Sequence, residues 1–89
     1  MNRVEAIRER LSSQLQPAQL DIIDESHLHA GHAGAASGAG HFAVTIRSDT
    51  FNGKSLIERH RMIYLAVDDL MKSEIHALSI KAIATDENE

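Results

Sequence analysis

Six histidines and no cysteine stand among the 89 residues of this chain, and the histidines are grouped. His27, His29 and His32 fall within six residues, His41 follows a short glycine- and alanine-rich stretch, and His76 opens an apolar run near the C-terminus. Only His60, between Arg59 and Arg61, lies apart. Imidazole is the commonest metal ligand and titrates near neutral pH, so such a grouping points to metal handling or proton sensing. A centre that also needs thiolate must take its sulfur from a partner, because this chain has none.

The composition bounds what else the chain can do. Nine basic residues against thirteen acidic ones give a net charge of −4, which argues against sequence-independent binding to nucleic acid. Protonating all six histidines would bring the sum to +2. With 43% hydrophobic and 25% charged residues, the chain reads as one soluble globular domain, 1–89, with room for a single two-layer core. The longest apolar run, Met62 to Val67, is far too short to span a membrane, and the first residues carry no apolar leader. The expectation is a soluble cytoplasmic protein without disulfides.

The elements that must position the histidines follow from periodicity. Val4, Ile7, Leu11 and Leu15 form a helical stripe that Pro17 stops. Residues 20–25 read as a first strand. Residues 28–40 hold four glycines and five alanines with no amphipathic period, which reads as a flexible loop. Phe42, Val44 and Ile46 alternate with smaller or polar residues as a second strand. From Lys54 to Met71 the pattern is helical, with Leu56, His60, Ile63, Val67 and Leu70 on one face and Ile57, Tyr64 and Met71 widening it, and with a break expected near Asp68–Ser73. A last strand puts His76, Leu78, Ile80 and Ala82 on one face. Residues 84–89 read as a frayed acidic tail.

Helix, strand, strand, one or two helices, strand defines an α+β two-layer domain, a three-stranded mixed sheet with helices on one face. The first two strands pair antiparallel, and the crossover from the second to the third leaves those two parallel. If they are neighbours, the end of the first strand and the starts of the other two meet at one edge, which gathers His27 to His32, His41 and His76. Strands lie about 4.8 Å apart, close enough for two of these imidazoles to share a metal. His76 plus one loop histidine is the candidate pair. His60 lies about 15 Å from the end of its helix and does not join them.

Asp24-Glu25-Ser26 with His29, His41-Phe42 with Val44, Ser48-Asp49 with Phe51 and Gly53, Arg59-His60-Arg61-Met62-Ile63-Tyr64 and Ile75-His76-Ala77-Leu78 together resemble the BolA-like family, over residues 3 to 83. The resemblance implies an α-β-β-α-α-β fold similar to class II KH domains and a non-enzymatic role. It implies pairing with a monothiol glutaredoxin in iron–sulfur trafficking and iron homeostasis. There a [2Fe–2S] cluster is held by a glutaredoxin cysteine, a glutathione thiol and two ligands from the BolA-like chain, which alone carries no cofactor. The C-terminal ligand falls on His76 and the loop ligand on His29, with His27 and His32 as alternatives that many relatives lack. Imidazole in place of thiolate raises a cluster's potential and leaves a ligand that protons displace. Alone, the chain is expected to be a monomer or weak homodimer, with no membrane partner.

Other chemistries fit less well. His27, His29 and His32 could hold zinc or copper, although their spacing matches no established zinc signature. The resemblance also implies, as the alternative function, a DNA-binding transcriptional regulator of stress response and cell shape. For that role Lys54, Arg59 and Arg61 are the candidate phosphate contacts, on what reads as a solvated helix face. The scarcity of aromatics (Phe42, Phe51 and Tyr64) leaves few platforms for base stacking. Gly53-Lys54-Ser55 lacks the first glycine of a phosphate-binding loop, since position 48 is serine. No nucleophile constellation is present, so an enzyme is not expected.

Overall fold

In the computed structural model, which describes residues 2–26 and 40–87, the chain opens on helix α1 (Arg3–Leu15). Asn2 caps it by accepting the Glu5 amide at 2.8 Å, which satisfies one of the donors left open at a helix start. Gln16 ends it in the left-handed conformation at φ 41°, just ahead of Pro17. Ile7, Leu11 and Leu15 are its buried stripe, as the spacing requires. Strand β1 (Gln19–Asp24) pairs antiparallel with β2 (Gly40–Ser48), and β2 pairs parallel with β3 (Ile75–Ala84), giving the order β1-β2-β3.

Strand β2 is central and alternates without a break: Phe42, Val44, Ile46 and Ser48 are buried, and the residues between them are half-buried. The helices cover the face that carries Phe42, Val44 and Ile46. Ser48 holds a core-facing place because its hydroxyl donates to the Leu15 carbonyl at 2.6 Å and accepts the Thr50 amide, so no polar group is stranded. A short 3-10 helix (Asp49–Phe51) drops Phe51 into the core. Gly53 then supplies the positive φ of 77° that turns the chain into α2 (Leu56–Ala66). Ser55 and Glu58 form a capping box at its start, and the Ser55 amide that donates to the Glu58 carboxyl, with the Ser55 side chain, holds it below its ordinary pKa. The helix breaks at Val67, just ahead of the expected Asp68–Ser73 stretch, and resumes as α3 (Asp68–Met71).

Three expectations are corrected. The face of α2 that packs inward is Arg59, Met62, Ile63 and Ala66, followed by Val67 and Leu70, so Leu56, Ile57 and Tyr64 lie outside the core. Arg59 takes a core-facing slot and is 8% exposed, not solvated. Its guanidinium donates to the carbonyls of Lys54 (3.0 Å) and Ala82 (3.2 Å) and pairs with the Glu87 carboxylate. The second correction concerns His76, which does not share the inward face of Leu78, Ile80 and Ala82, as described below. The third concerns the acidic tail, which is docked as far as Glu87. Arg47 donates to the carbonyls of Thr85 (3.2 Å) and Glu87 (3.0 Å), and the Thr85 hydroxyl bonds Asp49 and Asn52. Strand β3 itself runs to Ala84, which is fully buried. Among the described residues no helix is long and apolar enough to cross a membrane.

The Glu87 carboxyl lies below its ordinary pKa because Arg59 and the Ala84 amide donate to it. A carboxyl depressed in the folded state stabilises the fold above its unfolded-chain pKa, and that contribution disappears as pH falls through the folded value. Glu87→Gln should therefore melt below wild type at pH 7, and the gap should narrow below about pH 4, beneath the ordinary glutamate pKa of about 4.3. Thermal melts across pH 3 to 7 check this, and a gap that stays constant over that range would contradict it.

Candidate metal centre

The edge where β1 ends and β2 and β3 begin is built by local hydrogen bonds. Asp24 accepts the Ser26 amide at 2.9 Å, which turns the chain out of β1. The Ser26 hydroxyl then accepts the His41 amide at 3.1 Å, and the His41 carbonyl accepts the Glu25 amide at 2.8 Å. On the other side, the Gly40 amide donates to the Glu74 carbonyl at 3.1 Å. The His41 backbone is thereby fixed at the second position of β2.

Pairing between β2 and β3 slips by one residue here. Gly40 is opposite Ile75 and His41 is opposite Ala77, so His76 has no residue across from it. An extra residue of this kind re-aims a side chain at the rim of a sheet. Ile75 keeps the inward position and is buried, and from Leu78 onward the alternation recovers in register with Phe42 and Val44. His76, released from the alternation, is exposed. Its ring lies against that of His41, with centroids 5.0 Å apart and planes tilted by 51°.

Two imidazoles on one tetrahedral metal, each bound at about 2.1 Å, place their ring centroids about 5 Å apart, so the pair has the spacing that a shared ion needs. The donor set is two nitrogens without sulfur. Among the described residues no three His, Cys, Asp or Glu side chains gather to hold a metal ion. His27, His29 and His32 lie outside the described residues. His41 was missing from the ligand set drawn from the sequence, although the topology placed it at this edge. Its selection depends on the slip at Gly40, which no periodicity announces. His60 is half-buried on α2, in keeping with a boundary histidine. Of the three candidate phosphate contacts, Lys54 and Arg61 are exposed, while Arg59 is committed inside the fold.

A three-stranded α+β domain with two histidines meeting at a sheet edge is the class that fold and site define. Comparison with known proteins narrows it. The family model described as BolA-like protein matches residues 11–87, and the chain belongs to that family. It is 49% identical over 81 residues to "SufE-like protein 1, chloroplastic/mitochondrial" of Arabidopsis thaliana, which covers 85% of this chain and 22% of that protein. It is 40% identical over 76 residues to "DNA-binding transcriptional regulator BolA" of Escherichia coli, covering 85% and 70%. The chain spans about half, 51%, of "Protein BOLA1, chloroplastic" of Arabidopsis thaliana, to which it is 42% identical over 82 residues. Among solved structures, the BolA domain of SufE1 from Arabidopsis thaliana superposes with a TM-score of 0.86 at 44% identity, covering 99% of this chain and 98% of that one.

Gly40 is the residue on which the edge depends sterically. A Cβ there would lie 2.6 Å from the Ser26 hydroxyl oxygen and 2.7 Å from the Phe42 ring, and the buried ring has little room to give. Gly40→Ala should cost about 1–3 kcal/mol, the usual penalty for overpacking. Urea denaturation measures it, and a loss within about 0.5 kcal/mol, as at an ordinary surface site, would contradict the packing described here.

Proposed function

We propose that this chain is a non-enzymatic adaptor that binds a monothiol glutaredoxin and supplies two imidazoles to a shared [2Fe–2S] cluster in iron–sulfur trafficking. The observation that carries the reading is the His41–His76 pair, with ring centroids 5.0 Å apart at the sheet edge, in a chain without cysteine. Such a pair fits a partner that brings thiolates, here the glutaredoxin cysteine and glutathione. His76 is one ligand. The second is His41 or His29, with His27 and His32 as the remaining loop alternatives, and the spacing favours His41.

The cluster is cargo in this reading, and the chain's residues decide how firmly it is kept. Ser26 and Glu25 hold the His41 backbone in place, and the slip in pairing presents His76 to a partner. Imidazole ligands raise the cluster potential relative to thiolate. They bind only when neutral, so the mixed complex should hold its cluster less firmly in acid. We place the adaptor in a glutathione-containing compartment such as the cytoplasm.

A second reading, DNA binding, is favoured by the similarity to the Escherichia coli DNA-binding transcriptional regulator. With Arg59 tied to Glu87 and Ala82, it would rest on Lys54 and Arg61, and its mark would be steep salt dependence.

Visible circular dichroism on a mixture of this chain, a monothiol glutaredoxin, glutathione, iron and sulfide separates the readings. The expected result is a cluster spectrum distinct from that of glutaredoxin alone, lost in His76→Ala and weakened in His41→Ala. A spectrum that His76→Ala leaves unchanged would overturn the ligand assignment.

A further inference from the structure

The aliphatic side chains of α2 that miss the core form a surface of their own. Leu56, Ile57 and Leu65 are 64%, 66% and 78% exposed, and Tyr64 is 39% exposed. On a helix of 3.6 residues per turn, Ile57, Arg61 and Tyr64 fall on one face at spacings of four and three, with Leu65 beside Arg61. Arg61 is exposed and makes no hydrogen bond or ion pair among the described residues. Lys54 adds a second exposed cation just before the helix. Several large apolar side chains around a tyrosine and an exposed arginine, whose charge is felt by Glu58 one turn back, have the make-up of the centre of a binding face.

The ridge is tied to the histidine edge. The Tyr64 hydroxyl donates to the carbonyl of Leu78 at 3.3 Å. Leu78 is two residues beyond His76, about 7 Å along the strand. Ile57 lies two turns of helix further, about 10 Å. A stable protein interface covers about 800 Å² on each side, a disc about 32 Å across, so a partner whose footprint takes in His76 towards its margin has the reach to cover Tyr64 and the ridge behind it.

We infer that the Ile57–Arg61–Tyr64 ridge of α2 is the docking face for the same protein partner whose thiols complete the centre at His76, and that this partner meets Arg61 and Lys54 with carboxylates set among apolar side chains. The inference rests on the adaptor reading and adds a recognition surface to it: the ridge supplies affinity, and the histidines supply ligands.

Titration calorimetry with a cluster-loaded, glutathione-bound monothiol glutaredoxin tests it, with circular dichroism of the cluster recorded on the same samples. Ile57→Asp and Arg61→Glu change exposed positions, so folding should survive, and far-ultraviolet spectra verify this. Each should weaken binding at least 10-fold, whereas Arg8→Glu, an exposed change on α1, should leave it as in wild type. His76→Ala should lose the mixed-cluster spectrum yet bind more tightly than the ridge variants. Wild-type affinity in both ridge variants, with a normal mixed-cluster spectrum, would overturn the ridge and leave the adaptor reading standing. A ridge that instead mediates self-association, seen as a wild-type dimer that Ile57→Asp dissociates without loss of glutaredoxin affinity, would also overturn it. No complex with the wild-type chain would remove the adaptor reading and the ridge together.

Discussion

The parallel pairing of β2 with β3 is the constraint on which the rest of the molecule depends. It places the inward side chains Phe42, Val44, Ile46 and Ser48 beside Leu78, Ile80, Ala82 and Ala84. Onto that surface α1 brings Ile7, Leu11 and Leu15, and the later helices bring Ile63, Val67 and Leu70. Each fully buried side chain of this size contributes roughly 1.5–3 kcal/mol, so the register is fixed by many contacts at once. A shift of one residue along the whole strand would turn every one of them to the open face. The single slip at Gly40 is tolerated because it falls at the rim, where one residue is released and the alternation resumes. That released residue is His76, so the property that makes the edge chemically interesting follows from the way the core is registered.

The far end of the sheet is closed by charge. Arg59 reaches from α2 to the carbonyl of Ala82 and the carboxylate of Glu87, while Arg47 holds the carbonyls of Thr85 and Glu87. A guanidinium with several donors can satisfy a carbonyl and a carboxylate together, which suits a nearly buried position better than an ammonium would. The two ends of the domain therefore differ: one is sealed by a long-range ion pair, and the other brings two imidazoles together. Lys54, just ahead of α2, and Arg61 on it stay exposed.

Most of the fold was legible because it rests on local pattern. The stripe of α1, the alternation of β2 and the stop at Pro17 each follow from spacing or a single residue type, and the pairing directions followed from connectivity once the strands were taken as neighbours. The reading of α2 failed on two kinds of residue. Arg59 lies on the packed face, where its long apolar stem suits the boundary and its head finds partners far away in sequence. Leu56, Ile57 and Tyr64 fit an apolar stripe on paper, yet they lie on the side that neither α1 nor the sheet covers. The docked tail was hidden for a related reason, since its partners, Arg47, Asn52 and Arg59, lie 28 to 40 positions away. At the candidate site, the placement of His41 and His76 at one edge was readable from the topology, whereas the contact between their rings depended on the slip in strand pairing.

The claim that two imidazoles of this chain hold iron is tested most directly by pulsed electron paramagnetic resonance of the reduced mixed cluster. Only this chain would be labelled with nitrogen-15 at histidine, against unlabelled glutaredoxin and glutathione. The account predicts couplings from two strongly bound nitrogen-15 nuclei, one lost in His76→Ala and the other in His41→Ala or, should the loop supply it, in His29→Ala. A reduced cluster in the mixed complex with no strong nitrogen coupling would contradict it, because all the iron ligands would then come from the partner.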